Sequence, residues 1–446
     1  MNNIRFNQDN SCMAVASDTE SRIFNSEPFG EIYTNDSPVF LLKVLFSTSL
    51  TIIVPKEKDN RLLKIFNLKQ NLKICELIFP SSIVEIKINK KRLIVVLKIG
   101  QIYIYDLSYV KLIKIIEIEP LGSQPFVGDL SNDDHSLLVI PLKYVSTVMA
   151  GKSKNNGIFT DPEPLVKFNN FAEYKDPKGW VLVYDTINLK SVLIMKCHSS
   201  SIRKIVISDM IIATASSKGT IIRLFQLNFK QSEDIKLTRI LNLRRGHNSA
   251  HIHCLKFNTD CTILACGSEN TIHFFSLKYN EDIIDGHNYG TSTLKTYEAG
   301  DGDEHETDYN ISQSSLLDAE SSKSSEDLNE NLANLLISKP IPNEIEENDK
   351  DVDNSSDSKY WKLSKKLTSK YTKKIVKNLP YKDYFNNLVL SPPRRSFNII
   401  RLKDHKPVEI GFIDDLVLVA SYSRKFYQYK FDEGSRECRL VSEYDY

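Results

Sequence analysis

Short runs of β-type residues, separated by turn residues, repeat along the chain at intervals of about 40 residues. A repeat of that length is typical of β-propeller blades, each of which is a four-stranded sheet. Seven apolar segments have the pattern of a third blade strand: 21–24, 63–68, 101–107, 180–185, 220–225, 271–275 and 425–429. The sequence therefore predicts an all-β, seven-bladed β-propeller that spans residues 1–446 as a single domain. A β-sandwich is the main alternative, and the number of repeats favours the propeller.

Two insertions interrupt this period. Residues 143–178 are expected to form a loop in the fourth blade, and residues 281–395 are expected to separate the third and fourth strands of the sixth blade. Within the first insertion, Gly151-Lys-Ser resembles part of a phosphate-binding loop, but Ser146 stands where that loop needs a glycine. The second insertion is long enough that we expect it to be functional or disordered.

Charge divides the second insertion into an acidic part and a basic part, although the whole chain has a formal net charge of only +1. Residues 298–357 contain 18 acidic residues and three lysines, a composition that predicts disorder. Residues 358–378 contain eight lysines and no acidic residue, and their apolar spacing favours a basic amphipathic helix at a membrane interface. The membrane-inserting residues of this helix would be Tyr360, Trp361, Leu363, Leu367, Tyr371 and Ile375. A solvated lysine run in a flexible loop is the alternative.

Composition argues against several classes of protein. The small net charge argues against a nucleic-acid-binding protein. Seven cysteines without CxxC spacing are typical of reduced thiols in an intracellular protein, and the polar N-terminal residues are unlike a signal peptide. No apolar run reaches the roughly 18–20 residues needed to span a bilayer, so any membrane contact is expected to be peripheral.

Patterns typical of catalysis are not found in the sequence. There is no GxSxG nucleophile elbow and no complete phosphate-binding loop. His251, His253 and Cys254 could suggest a metal site, but alternation along a strand would place Cys254 on the face opposite to the two histidines. We therefore predict that the protein is not an enzyme and has no catalytic residues, no metal site and no cofactor.

The most distinctive motif is Leu243-Arg-Arg-Gly, which lies between two predicted blades. If a strand ends near Leu243, then Arg244 and Arg245 point to opposite faces and serve different pockets. Two neighbouring guanidiniums repel each other, so burying both requires an anion for each, and arginine is well suited to bidentate binding of phosphate. A solvated arginine pair in a turn closed by Gly246 is the alternative.

Together with two flanking motifs, this tetrapeptide resembles the PROPPIN family, whose animal members are called WIPI proteins. The flanking motifs are Ala213-Thr-Ala-Ser-Ser-Lys-Gly-Thr-Ile-Ile-Arg-Leu-Phe and Thr271-Ile-His-Phe-Phe. Family members are seven-bladed propellers that bind phosphoinositides, and the resemblance covers all seven blades, including an overlong loop in the sixth. N-terminal segments such as Cys75-Glu-Leu-Ile-Phe-Pro are most similar to the yeast member of the cytoplasm-to-vacuole targeting pathway, with the general autophagy member next.

The resemblance implies two headgroup pockets. The first pocket would consist of Thr214, Ser216, Gly219, Thr220, Arg223 and Arg244, with His198 at its edge. The second pocket would consist of Arg245, His247, Ser268, Thr271 and His273. Hydroxyls and the exposed glycine amide would donate to phosphate oxygens, while the guanidiniums would neutralise charge. The alternative for Ser216 and Thr220 is ordinary turn capping, and His198 could equally be a structural residue.

The second pocket departs from the family pattern. The turn Cys266-Gly-Ser-Glu-Asn-Thr lacks the usual glycine before the threonine and is one residue short. Glu269 adds a negative charge nearby, so we expect this pocket to bind more weakly than the first.

These features lead to one functional hypothesis and one alternative. The resemblance implies a cytosolic, monomeric, peripheral membrane adaptor that binds phosphatidylinositol 3-phosphate, with the 3,5-bisphosphate as a second candidate ligand. It would act on pre-autophagosomal, vacuolar and endosomal membranes and recruit the machinery that couples the ubiquitin-like autophagy protein to phosphatidylethanolamine. The alternative is a propeller scaffold that binds only proteins, with the arginine pair holding an acidic peptide.

Overall fold

Seven β-sheets arranged in a closed ring make up the fold. The computed structural model describes residues 3–144, 178–229, 235–278, 393–432 and 437–446. The first strand of each sheet contacts the first strands of the two neighbouring sheets all the way round, so the ring closes. The predicted seven-bladed β-propeller is therefore confirmed. None of the described residues forms a helix long and apolar enough to cross a membrane.

The blades follow one another in chain order. Blades one to four contain β1 (Asn3–Phe6), β2 (Cys12–Ala16), β3 (Ser21–Ser26), β4 (Phe29–Asn35), β5 (Val39–Val44), β6 (Leu50–Pro55), β7 (Leu62–Asn67), β8 (Leu72–Ile78), β9 (Ile83–Ile88), β10 (Arg92–Leu97), β11 (Gln101–Asp106), β12 (Lys111–Glu117), β13 (Asp129–Leu130), β14 (Leu137–Pro141), β15 (Trp180–Asp185) and β16 (Lys190–Lys196).

Blades five to seven complete the ring. Blade five contains β17 (Ile202–Ser208), β18 (Ile211–Ser216), β19 (Ile221–Phe229), β20 (Ile235–Arg244) and β24 (Arg394–Arg395). Blade six contains β21 (Ile252–Phe257), β22 (Ile263–Ser268), β23 (Thr271–Ser276) and β25 (Asn398–Arg401). Blade seven contains β26 (Val408–Ile413), β27 (Leu416–Ser421), β28 (Lys425–Asp432) and β29 (Glu437–Asp445).

Both long interruptions of the repeat fall on residues outside the described ranges. In blade four, a short 3-10 helix, Leu142–Tyr144, follows β14, and β15 begins after residues 145–177. In blade six, residues 279–392 separate β23 from the fourth strand, β25. The acidic stretch 298–357 and the basic stretch 358–378 with its predicted membrane-inserting residues therefore lie outside the described residues.

A fifth strand in blade five is the main difference from the sequence prediction. β24 pairs in parallel with β20, which places Arg394 beside Leu243 and Arg395 beside Arg244. The sequence placed these two residues inside the insertion 281–395. A two-residue strand carries no periodic pattern, and its pairing partner lies far away in the chain, so no local signal marks it.

The blades pack face to face, so the middle strands bury both of their faces. In blade five, Ile212 and Phe225 pack against Val183 of blade four. On the opposite face, Leu224 packs against Phe275 of blade six. Because side chains alternate along a strand, successive positions of β18 and β19 face different neighbouring blades.

The two ends of the chain meet through side chains between blades one and seven. Phe29 of blade one stacks on Phe426 of blade seven at 4.3 Å between ring centroids and lies 4.8 Å from the ring of Tyr444. Gln428 also donates from Nε2 to the Ser26 carbonyl at 2.9 Å. Each of these blades takes its four strands from one end of the chain, so this contact closes the ring without an exchanged strand.

An ion-pair network joins the first strands of neighbouring blades. The Glu85 carboxylate on β9 lies 3.7 Å from Arg5 Nη2 on β1 and 3.4 Å from Lys43 Nζ on β5. Arg5 also donates from Nη1 to Glu409 Oε1 on β26 at 2.5 Å. Burial by itself would raise the pKa of Glu85, but the charges of Lys43 and Arg5 outweigh it and hold that pKa well below its usual range.

Candidate functional site

One face of blade five collects the polar residues of the first predicted pocket. Register pairs Thr214 on β18 with Arg223 on β19, and Arg223 with Asn242 on β20. Residues paired directly across antiparallel strands point to the same face, and Arg244 lies two residues beyond Asn242 on that same face. This face is the one that packs against blade four.

The Arg223 guanidinium is held from three sides. Its Nε donates to Asn242 Oδ1 at 3.1 Å, and its Nη1 donates to the Cys197 carbonyl at 2.7 Å. Nη1 also lies 3.1 Å from His198 Nδ1. An arginine nitrogen cannot accept a hydrogen bond, so His198 Nδ1 is the acceptor, and the ring proton lies on Nε2. The predicted membership of Arg223 and His198 in one cluster agrees with this geometry.

His198 bridges Arg223 to Thr214. Its Nε2 lies 3.1 Å from the Thr214 carbonyl oxygen and 3.0 Å from Thr214 Oγ1. Burial, followed by the charge of Arg223, holds the pKa of His198 well below its usual range. The ring is therefore neutral, so it orients the guanidinium of Arg223 and adds no positive charge of its own.

The turn between β18 and β19 requires a glycine at position 219. Gly219 has a φ of +62°, and a Cβ added there would lie 2.1 Å from the Ala250 carbonyl oxygen. Its amide donates to the Ser216 carbonyl at 3.0 Å, so that amide is engaged within the turn and does not point outward to a phosphate as the sequence led us to expect. The role of Gly219 is therefore conformational.

We expect Gly219→Ala to lower the free energy of unfolding by at least about 2 kcal/mol, because the change combines a left-handed backbone with a clash against a main-chain oxygen. Urea unfolding measures the effect. Gly246→Ala is the matched control, since a Cβ there meets no atom within 4 Å. Equal stability of the two variants would contradict this account of the turn.

Arg244 ends β20, and its half-buried side chain reaches the turn beyond the strand. Its Nη1 lies 3.3 Å from Nδ1 of His247, which is exposed. The sequence assigned His247 to the second pocket, but the structure places it next to the arginine of the first. The turn that follows β20 brings the His247 ring back towards Arg244, which strand alternation could not indicate.

Arg245 lies on the side of blade six. Its Nε donates to the Gly219 carbonyl at 2.8 Å, and its Nη2 donates to the Asn248 carbonyl. Its amide donates to the Thr220 carbonyl at 2.9 Å, which fixes the start of the turn. Burial, and then the positive charge of Arg245, lowers the pKa of His273 in blade six. The two arginines thus serve opposite sides of blade five, as the strand alternation predicts.

Three polar residues of the second predicted pocket form one chain of contacts in blade six. Thr271 Oγ1 donates to the Ser268 carbonyl at 3.1 Å and lies 3.3 Å from His273 Nε2. The pKa of His273 falls to about 4 because of burial and then the charge of Arg245, so this ring is also neutral at neutral pH. The positive charge of the second pocket therefore resides on Arg245.

The hairpin that carries this pocket is short. Ser268 pairs directly with Thr271, so only Glu269 and Asn270 form the turn. Glu269 takes the positive φ, +47°, and its side chain is exposed. The extra residue and the glycine found in the blade-five turn are absent here, which agrees with the departure noted in the sequence.

The structure adds three residues that the sequence did not single out. Asn242 holds Arg223, and its position two residues before Arg244 was a usable signal, since such residues share a strand face. Ser396 Oγ lies 3.4 Å from His273 Nδ1, and Arg395 lies beside Arg244. The last two come from the segment after residue 392, and only tertiary pairing brings them to the site.

His251 and His253, whose residue types could suggest a metal site, form a small cluster at the surface. His253 lies on β21 and His251 immediately precedes that strand. Their Nδ1 atoms are 3.0 Å apart, and Arg203 Nε donates to His251 Nε2 at 3.2 Å. The buried Cys254 points the other way, 3.8 Å from Glu409. Within the described part of the chain, no group of three or more metal-binding side chains comes together.

Comparison with known proteins gives a consistent set of similarities. Residues 1–152 match the model of the PROPPIN family, and residues 237–276 match that of the WD domain, G-beta repeat. Autophagy-related protein 21 of Candida albicans is 41% identical to the chain, covering 100% of this chain and 99% of the relative. The protein of the same name from Debaryomyces hansenii is 40% identical, with the same coverage.

Solved structures show the same architecture. The complex of KlAtg21 with the coiled-coil of AgAtg16 aligns with a TM-score of 0.59 at 23% identity, covering 99% of this chain and 98% of the solved chain. Kluyveromyces lactis Hsv2 aligns with a TM-score of 0.57 at 16% identity, with the same coverage. At these identities the likeness supports the seven-bladed fold.

Proposed function

The chain belongs to the PROPPIN family of non-enzymatic autophagy β-propellers, and from this premise we propose that it is a peripheral membrane adaptor that binds phosphatidylinositol 3-phosphate. The first and second pockets would each take one headgroup, and the 3,5-bisphosphate would be a second ligand of the same sites. Protein partners would then assemble on the membrane-bound propeller.

The placement of Arg244 and Arg245 is the observation that carries the proposal. They leave the end of β20 on opposite sides of blade five. Arg244 lies on the face that carries Thr214 and Arg223. Arg245 lies on the side of blade six, where Thr271 contacts the neutral ring of His273. A guanidinium among hydroxyl donors suits a phosphate monoester, because every group can donate to its oxygens. Because His198 and His273 are neutral, Arg223 and Arg244 carry the charge of the first pocket and Arg245 carries that of the second.

Two pockets at one end of a strand also favour membrane binding over binding of a free anion. A charge-assisted hydrogen bond contributes only roughly 1.5–3 kcal/mol, so one exposed headgroup would dissociate readily. Both arginines come from adjacent positions, so both pockets open at the same rim of the propeller. Two headgroups in one membrane would therefore bind with avidity.

Vesicle flotation tests the proposal. We expect the full chain to float with phosphatidylcholine vesicles that contain phosphatidylinositol 3-phosphate, and to bind vesicles with unphosphorylated phosphatidylinositol at least about tenfold more weakly. Soluble inositol 1,3-bisphosphate should displace the protein, because it presents the same phosphate monoester to the pockets.

The outcomes separate the proposal from its alternatives. Equal flotation with both lipids would show that general negative charge suffices and would reject headgroup recognition. No flotation with either lipid would favour the protein-only scaffold, in which the arginine pair holds an acidic peptide. The same conclusion would follow if an acidic peptide displaced the protein from vesicles and inositol 1,3-bisphosphate did not.

Partner and location follow from the family and remain part of the proposal. KlAtg21, which has a similar fold, has been solved in complex with the coiled-coil of AgAtg16. We propose that this chain likewise recruits autophagy conjugation machinery, which lipidates the ubiquitin-like autophagy protein, at pre-autophagosomal, vacuolar and endosomal membranes. It would do so as a cytosolic monomer that reaches membranes through its pockets.

A further inference from the structure

The segment from residue 393 to residue 401 crosses from blade five to blade six beside both pockets. Its first part, β24, extends blade five by pairing in parallel with β20. Its last part, β25, is the fourth strand of blade six. Between these strands, Ser396 Oγ lies 3.4 Å from His273 Nδ1 in the second pocket.

The register of β24 places a further arginine beside the first pocket. Arg395 is the in-register partner of Arg244, and neighbouring strands lie about 4.8 Å apart. In-register partners project to the same face of a sheet, so both side chains leave the face that carries Arg223 and Asn242. Arg395 is exposed, and Arg244 is half-buried.

Several contacts fix the backbone of this segment. Arg394 donates from Nη1 to the Lys278 carbonyl at 3.2 Å, on the side of blade six. The Phe397 amide donates to the Phe274 carbonyl at 2.9 Å, and the Phe397 ring lies 5.5 Å from that of Phe431. Arg395 is therefore carried by an anchored strand, so binding a ligand orders its side chain but does not have to order its backbone.

Two guanidiniums on adjacent strands repel each other until an anion lies between them. A phosphate monoester carries close to two negative charges at neutral pH and offers three oxygen acceptors. One such group can accept from two guanidiniums at once, which a carboxylate or a phosphodiester with a single charge does less well.

We propose that Arg395 and Arg244 bind the same phosphate monoester of a phosphoinositide headgroup, which makes Arg395 a third arginine of the first pocket. This assignment rests on the proposed function. It predicts that the region C-terminal to residue 392 takes part directly in lipid recognition, through a residue on the rigid propeller.

Vesicle binding by a double-mutant cycle tests this assignment. On vesicles with phosphatidylinositol 3-phosphate, we expect Arg395→Gln to weaken binding about tenfold. Arg439→Gln, at a position that is 76% exposed on β29 in blade seven, removes the same charge and is expected to change binding less than about twofold. The double variant Arg244→Gln/Arg395→Gln should lose less than the product of the two single losses, because both residues hold one phosphate.

Other outcomes overturn the assignment. If Arg395→Gln weakens vesicle binding no more than Arg439→Gln does, Arg395 contributes only as a general surface charge. Strictly multiplicative losses would mean that Arg395 and Arg244 do not share a phosphate. If inorganic phosphate displaces the protein from vesicles at the same concentration as soluble inositol 1,3-bisphosphate, the site binds free phosphate. That result would reject the lipid headgroup as its ligand.

Two further comparisons keep the test interpretable. If the wild type binds vesicles with phosphatidylinositol 3-phosphate and vesicles with phosphatidylinositol equally well, the proposed function fails. If the wild type distinguishes the two lipids but Arg395→Gln does not change binding, only this inference fails. Arg395→Lys retains the charge and loses the planar fork, so we expect an intermediate loss even if Arg395→Gln perturbs folding. Thermal unfolding midpoints within about 2 °C of wild type would show that the variants fold.

Discussion

Arg244→Thr/Arg245→Thr is expected to abolish flotation with vesicles that contain phosphatidylinositol 3-phosphate, while the propeller stays folded. Both side chains leave the end of β20 and are only partly buried, so their loss opens no cavity in the core. Neighbouring buried groups are neutral: His198 and His273 both have pKa values below their usual range. Arg245 therefore supplies the attraction for phosphate in the second pocket, and Arg244 shares that role with Arg223 and Arg395 in the first.

The size of this effect follows from the number of charged contacts. Each guanidinium–phosphate contact is worth roughly 1.5–3 kcal/mol, so losing both should weaken binding at least roughly 100-fold. Each single variant keeps one pocket and should retain weaker binding, because avidity requires both. Measured dissociation constants from vesicle titration would show this order.

A second pair of substitutions provides the control for charge. Lys430→Thr/Arg439→Thr removes two positive charges from blade seven, where these side chains are 63% and 76% exposed. We expect near-normal flotation from this variant, and circular dichroism should show that both double variants keep the β-sheet spectrum. If the Arg244/Arg245 variant floats as well as wild type, the two pockets do not carry membrane binding, and the basic stretch 358–378 becomes the main candidate.

Glu85→Gln should destabilise the propeller by about 2–4 kcal/mol, the second large effect that we expect. The Glu85 side chain is only 13% exposed and faces two cations, Arg5 and Lys43, from the first strands of two other blades. The neutral amide would remove the carboxylate that faces Lys43 and would leave Arg5 to its pairing with Glu409. Uncompensated buried charge is costly, and here it would act where three blades meet.

The pH dependence gives this prediction a specific signature. The folded-state pKa of Glu85 is held far below the ordinary glutamate value of 4.5, so its stabilising effect is complete above about pH 4.5. It is lost as the pH falls further, because the protonated acid resembles glutamine. Burial already lowers the pKa of Lys43 to about 8, and removing the charge of Glu85 lowers it further, so the comparison belongs below neutral pH. The difference in urea midpoint between wild type and Glu85→Gln should therefore be full at pH 5 to 6 and narrow in acid.

An exposed carboxylate offers a matched control. Glu443 is 36% exposed and pairs with Lys425 on the last blade, so Glu443→Gln should change stability by less than about 1 kcal/mol. A difference between wild type and Glu85→Gln that persists unchanged below pH 4.5 would show that the loss comes from packing and not from the charge of Glu85.

Much of the fold was predictable because a propeller is built from local patterns. Each blade strand alternates, and each hairpin has short-range turn signals, so seven repeats could be counted without knowing how they pack. The opposite directions of Arg244 and Arg245 were predictable for the same reason, since adjacent residues on a strand face opposite sides. The short turn at Glu269 was visible as a missing residue.

Contacts between blades were not predictable in the same way. His198 lies in the connection between blades four and five, yet it orients Arg223 on β19. His247 turns back to Arg244 across the end of β20. The Gly219 amide points to Ser216 within its own turn, although an exposed turn glycine suggested a phosphate donor. These details depend on where a loop lies against its neighbour.

The amino-acid sequence by itself determined the number of blades, the strand that carries the arginine pair and the separation of its two side chains. All three depend on spacing between residues that are close in the chain. Only the tertiary structure decided that Arg395 lies beside Arg244 and that Glu85 gathers Arg5 and Lys43. Arg395 is far from Arg244 in the chain and reaches it by strand pairing, while Glu85, Arg5 and Lys43 lie on three different blades and meet because those blades pack side by side.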